Sequence, residues 1–167
     1  GEFAIGGGLR AGLSEEPDTY SERKMSVVSL TGVTEDNTAT NLTVNGEGGK
    51  SYINVNLNSI VGFEIYITRL EVGGSSATAG DYSYRNIKGV VRIDNAGAML
   101  FIVGMTRNIA KYNSGGGPGV NGTAAMINGG TGVSAPSITI QVSDRNNVTN
   151  VWSATVYIHQ LTSNISF

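Results

Sequence analysis

The chain has no cysteine, three prolines, one histidine and one tryptophan among its 167 residues. Without thiols there is no disulfide framework and no thiolate metal site, so packing or association must supply the stability. The single histidine, His159, cannot build an imidazole metal centre unaided, and no metal or other cofactor is expected. Charge is scarce as well: charged residues make up 14% of the chain, the net charge is −2 and the pI is about 5.3. A chain with no basic stripe cannot release counterions from a phosphate backbone, which argues against nucleic acid as a partner. No apolar run approaches the roughly 20 residues that a membrane-crossing helix needs, so no membrane insertion is expected.

What the chain does have is 24 glycines and an abundance of Asn, Thr, Val and Ile, the residues of strands and turns rather than helices. Its length suits one domain with one core. The opening GEF, residues 1–3, reads as a cloning scar in front of natural sequence beginning at Ala4 or Ile5, and the whole as a C-terminal piece of something longer. Residues 4–24, AIGGGLRAGLSEEPDTYSERK, repeat at neither strand nor helix period and read as a connector. Alternation begins at Met25 with MSVVSLTGV. The stretch TEDNTATNLTVNGEGG then sets a brief rung, LTV, between Asx and Gly turns, and SYINVNL follows with Ile53, Val55 and Leu57 on its apolar side.

In IVGFEIYITRLEV, Phe63, Ile65 and Ile67 share one face while Glu64, Tyr66 and Thr68 share the other. DYSYRNIKGVVRID shifts phase at Gly89, the mark of a bulge. After a turn at 94–97 comes AMLFIVGMT, the most apolar window and the expected core strand. SITIQVSD and NVWSATVYIHQL close the chain around an Asn-rich turn. The sum is an all-β, antiparallel β-sandwich of jelly-roll (or tumour-necrosis-factor-like) type over residues 25–167, with about eight or nine strands at the spacing such folds use. Residues 111–135, KYNSGGGPGVNGTAAMINGGTGVSA, read as one long Gly-rich loop, and a loop of that length usually has a function.

Enzyme signatures are few. His159 falls on the outer face of the last strand, no nucleophile elbow surrounds any serine, and the glycine-rich stretches are not phosphate-binding loops. The carboxylates Asp36, Asp94 and Asp144 stand at turns or strand ends, where Asp bonds its own backbone. No catalytic residue is assigned and the protein is not expected to be an enzyme. Tyr52, Tyr66, Tyr82, Tyr84 and Tyr157 favour cross-strand packing, and Trp152 favours the core.

The succession LTGVTEDNTATNLTVNG, SYINVNLNSIVGFEIYITRLEV, YRNIKGVVRIDNAGAMLFIVG and SITIQVSDRNNVTNVWSATVYIHQL resembles the C-terminal domains of bacteriophage tail-fibre and virion spike proteins. Thr34 to Gly46, Phe63-Glu64, Gly89 to Gly97 and Trp152 to Val156 carry the likeness, and AIGGG looks like the end of a Gly-rich shaft. The resemblance implies a receptor-binding tip, virion-borne and extracellular, working as a homotrimer that attaches to a bacterial cell-surface glycan or protein. Its alternative is a trimerisation cap or capsid decoration domain that binds no host ligand. On either account the individual feature of this chain is the loop at 111–135. Tyr112, Asn113, Asn121 and Asn128 are its candidates for receptor contact, as polar or stacking groups.

Overall fold

The structure, a computed structural model, describes residues 2–5, 21–44, 50–114, 122–129, 136–163 and 166–167, the side chains of 2–5 and 21–23 excepted. Ten strands account for most of these residues: β1 (Glu2–Ile5), β2 (Ser21–Thr34), β3 (Thr40–Asn41), β4 (Ile53–Asn54), β5 (Ser59–Gly73), β6 (Tyr82–Ile93), β7 (Met99–Tyr112), β8 (Thr123–Asn128), β9 (Ser137–Ser143) and β10 (Thr149–Ser163). All pairings are antiparallel, as the composition requires.

Six strands in the order β1-β2-β10-β5-β6-β7 form the large sheet. The small sheet is centred on β9, with β3 and β4 end to end along one edge and β8 along the other. The first arm (β2, β3) thus runs beside the last arm (β9, β10) across both sheets, whereas β5-β6-β7 is a plain meander. Alternation decides which side chains meet between the sheets. The large sheet contributes Leu30, Val61, Phe63, Ile65, Ile67, Val91, Trp152 and Val156, and the small sheet answers with Leu42, Ile53, Met126, Ile138, Ile140 and Val142. Trp152 is wholly buried and donates its Nε1–H to Thr34 Oγ1 at 2.9 Å, so its one polar atom is satisfied.

The turns follow the side-chain chemistry. Asp36 Oδ1 accepts the Thr38 amide and Asp94 Oδ1 accepts those of Ala96 and Ala98, while Asn147 takes a positive φ of 58° between β9 and β10. The bulge at Gly89 is present, where a Cβ would run into the Ile102 carbonyl and the Phe63 ring. The tip of the first hairpin, residues 45–49, lies outside the described residues.

Three expectations need correction. Residues 2–5, divided between scar and connector, pair with β2 as a strand, and β2 itself starts at Ser21; residues 6–20 lie outside the described ones. Thr123–Asn128, read as part of one loop, is strand β8, with Met126 buried in the core. AMLFIVGMT is not a core strand: β7 is the free edge of the large sheet, and most of it is exposed on both faces. At its start Met99 and Phe101 pack against the core, partly buried, whereas Leu100, Ile102, Val103 and Met105 are exposed among the described residues.

Candidate functional surface

The outward residues of the large sheet form cross-strand rows fixed by register. At one pole a row runs Val33, Val151, Leu70, Tyr82, Tyr112. At the other, two rows run Met25, His159, Gly62, Val90, Ile102 and Leu161, Ile60, Arg92, Leu100. Val33, Val151, Leu70, Ile60, Leu161, Val90, Leu100 and Ile102 are all substantially exposed. A sheet face left to water would carry Thr, Lys and Glu at such positions; here the first band is apolar and aromatic throughout and the second mostly apolar, with His159 and Arg92 among its residues.

Between the bands lies a polar and aromatic middle. Tyr66 packs against Tyr84 and Tyr157, each with ring centroids 6.1 Å apart, the first tilted and the second edge to face. With Glu64 and Thr155 they line a shallow depression of about 370 Å³. Its charges are paired: Lys88 Nζ lies 2.8 Å from Glu64 Oε1, and Asn86 Nδ2 donates to the same oxygen at 3.0 Å. Lys88 first, then the Tyr66 hydroxyl, holds the Glu64 carboxyl below its ordinary pKa, and that same bond raises the Tyr66 phenol. Covering this band would cost less than covering unpaired charges, though the Lys88–Glu64 pair would still lose its hydration.

The sequence candidates do not converge on one site. Tyr112 ends β7, 55% exposed, its ring stacked on Tyr82 at 6.1 Å and 20°. Asn113 follows it directly. Asn128 ends β8 beside Ile138. β8 starts against Ser143, so five residue steps, about 17 Å, separate its two ends. Asn121 lies outside the described residues. His159 is exposed on the outer face, as alternation predicts.

A second cluster, unforeseen in the sequence, closes the interior at the Tyr112 pole. The inward parity of β5 continues past Ile67 to Arg69 and Glu71, both almost wholly buried. Arg69 Nη1 donates to Asp144 Oδ2 at 2.5 Å, Asn150 Oδ1 at 3.0 Å and Glu71 Oε2 at 3.2 Å. Arg145 Nη2 reaches both Glu71 oxygens at 2.9 and 2.8 Å, and the Thr78 amide donates to Oε1. Arg85 stands on the same inner face, 8% exposed, and burial, then the Arg69 charge, pushes its guanidinium pKa down while Asp144 pulls it up. Glu71 and Asp144 are buried carboxylates committed to arginines, a fold-holding arrangement rather than an acid/base pair. The sequence signal was there: Arg69 and Glu71 share the parity of Phe63, Ile65 and Ile67.

This cluster also anchors the chain after β7. Asp81 Oδ1 accepts the Ser114 amide at 2.9 Å and the Ser114 hydroxyl at 2.8 Å, and the amide bond first holds the Asp81 carboxyl below its ordinary pKa. A depressed carboxylate contributes stability above its unfolded pKa of about 3.9 and loses it as pH falls through the lower folded value. The Ser114 amide should therefore be protected from hydrogen exchange at neutral pH and released only as pH falls through the lowered Asp81 pKa, beneath the ordinary carboxylate range, with Asp81→Ala abolishing the protection at all pH. Protection unchanged in that variant would show that Asp81 does not hold the segment.

No protein-family model and no curated protein matches the chain. Among solved structures it is similar to the crystal structure of tailspike protein gp49 from Acinetobacter baumannii bacteriophage Fri1, a capsular polysaccharide depolymerase. The TM-score is 0.39 at 11% identity, and the match covers 97% of this chain and 21% of that one. The chain thus spans about a fifth of that protein, and a likeness this slight carries neither fold nor activity across.

Proposed function

We propose that this chain is a virion structural domain, the distal part of a phage tail fibre or spike, which works as a homotrimer and attaches to a bacterial cell-surface glycan or protein without being an enzyme. The observation that supports assembly is the outer face of the large sheet. Five strand spacings by a dozen residues is about 24 by 40 Å, or about 1,000 Å². A standard protein interface needs about 800 Å² per partner. The outer edge of β7, a strand of fourteen residues paired on its other side to β6, has no strand partner among the described residues and invites pairing with another chain. The sequence likeness to fibre tips adds the location and the attachment role, and several copies on one projection would convert weak contacts into firm adsorption.

The same face also favours a cap or decoration domain with no host ligand. Competition separates the two: the purified protein is expected to reduce virion adsorption to host cells, and failure to compete while remaining oligomeric would leave the cap. Release of reducing sugar from host capsule by the purified protein would overturn the non-enzymatic assignment. Replacing Tyr112, Asn113, Asn121 and Asn128 together by alanine, which leaves strand β8 and its buried Met126 in place, is expected to weaken cell binding, and unchanged binding by the folded variant would remove these four residues from the contact.

A further inference from the structure

At the pole opposite the ionic cluster the described residues form a groove of about 400 Å³ between β2 of the large sheet and β4 of the small one. The floor is apolar: Val28 is inward on β2 and Ile53 is the buried residue of β4. Around it stand Lys24, Lys50, Tyr52 and Asn54. Two bonds fix this rim. The Lys50 carbonyl accepts the Val44 amide at 2.9 Å, and Thr139 Oγ1 donates to the Ser51 carbonyl, tying the residues before Tyr52 to β9.

Lys24 and Lys50 are both exposed, and neither forms an ion pair with a described residue. Two cations, one aromatic ring and one amide around an apolar floor are the parts of a site for an anionic sugar. The ring and floor take the C–H face of a pyranose, the ammonium groups take a carboxylate, and the amide bonds hydroxyls. Placement adds to this. Lys24 projects between the sheets, away from the outer face proposed to pack against other copies, so the groove stays open in the assembly. Asn128 is at the same pole: it and Ile53 flank Ile138 from opposite sides, about 10 Å apart. A saccharide longer than one ring could span from the groove to it.

We propose that this groove binds acidic saccharide, with Lys24 and Lys50 taking a uronate carboxylate and Tyr52 the ring face. The proposal rests on the attachment role and names the chemistry of what is bound. The test titrates the protein with tetragalacturonate and, in parallel, with neutral galactotetraose, following chemical shifts of the Tyr52 and Asn54 amides. Tetragalacturonate is expected to shift these amides at millimolar concentration or below, more weakly as salt rises, with galactotetraose at least tenfold weaker. Lys24→Gln with Lys50→Gln should weaken the acidic ligand by at least about tenfold without altering the melting temperature, because both charge-assisted contacts to the carboxylate are lost.

Equal response to both sugars, no response to either, or full affinity in the double variant would overturn the groove. The adsorption assay keeps this failure apart from failure of attachment. A wild-type chain that competes for host cells, matched by the double variant, leaves attachment standing and the groove refuted. A wild-type chain that does not compete removes the attachment reading.

Discussion

Replacing Arg69 by Met should lower the unfolding free energy by about 3–5 kcal/mol, among the largest losses available to a single substitution here. The guanidinium is the shared donor to Asp144, Asn150 and Glu71. Its removal leaves Glu71 and Asp144 at the sandwich pole with Arg145, which is partly exposed, and, for Asp144, the charge of Arg85 to answer them. Urea denaturation reads the effect as a lower midpoint with an unchanged slope. The pairwise part is isolated by a cycle: Asp144→Asn should cost less in the Arg69→Met background than in the wild type, because the neutral amide no longer needs the missing cation. A loss below about 1 kcal/mol for Arg69→Met would mean the cluster is hydrated and weak.

The cluster shows which parts of the fold were legible in the sequence. The all-β architecture, the bulge at Gly89, the Asx turns at Asp36 and Asp94 and the burial of Trp152 all follow from local rules, since each depends on backbone conformation or on one residue's size. Arg69 and Glu71 were missed because polarity was allowed to outvote parity. A charged residue on the core side of a strand looks like the end of burial, yet the strand goes on and the charges meet partners from a turn 75 residues later. Strand β8 was hidden for a different reason. Its six residues, TAAMIN, carry small side chains and sit among glycines, and what makes them a strand is the long-range ladder with β9.

β7 was misplaced by treating apolar content as evidence for this chain's own interior. Content alone cannot distinguish burial within one chain from burial between chains, but pattern comes closer. In NVWSATVYIHQL both parities carry apolar residues: Trp152, Ala154, Val156 and Ile158 on one side, Val151, Tyr157 and Leu161 on the other. The first side is apolar from Trp152 to Ile158, whereas the second carries Ser153, Thr155 and His159 between its apolar residues. The small sheet covers the first. The candidates Tyr112, Asn113, Asn121 and Asn128 were grouped because they shared one presumed loop, and the strand inside that loop carries Asn128 to the far pole.

Ile102→Lys should convert the assembled protein to monomer while leaving the fold intact. Ile102 is 57% exposed and sits in the row that runs from Met25 through His159, Gly62 and Val90. As an exposed position within one chain it should change monomer stability by no more than about 0.5 kcal/mol. In an interface the same lysine is buried with apolar neighbours, at a cost of several kcal/mol for each subunit. At about 1.4 kcal/mol per decade, that moves the association midpoint by several orders of magnitude. Leu57→Lys is the control, because Leu57 is also exposed but follows β4 and lies off the large sheet. Light scattering on the eluting peak should give a multiple of 17.4 kDa for the wild type and for Leu57→Lys, and the single-chain mass for Ile102→Lys. A wild type that elutes at the single-chain mass would leave the outer face free, and its tyrosine depression would then replace the sheet-to-sheet contact as the feature to explain. An unchanged mass for Ile102→Lys would move the interface elsewhere, with the free β7 edge the next surface to substitute.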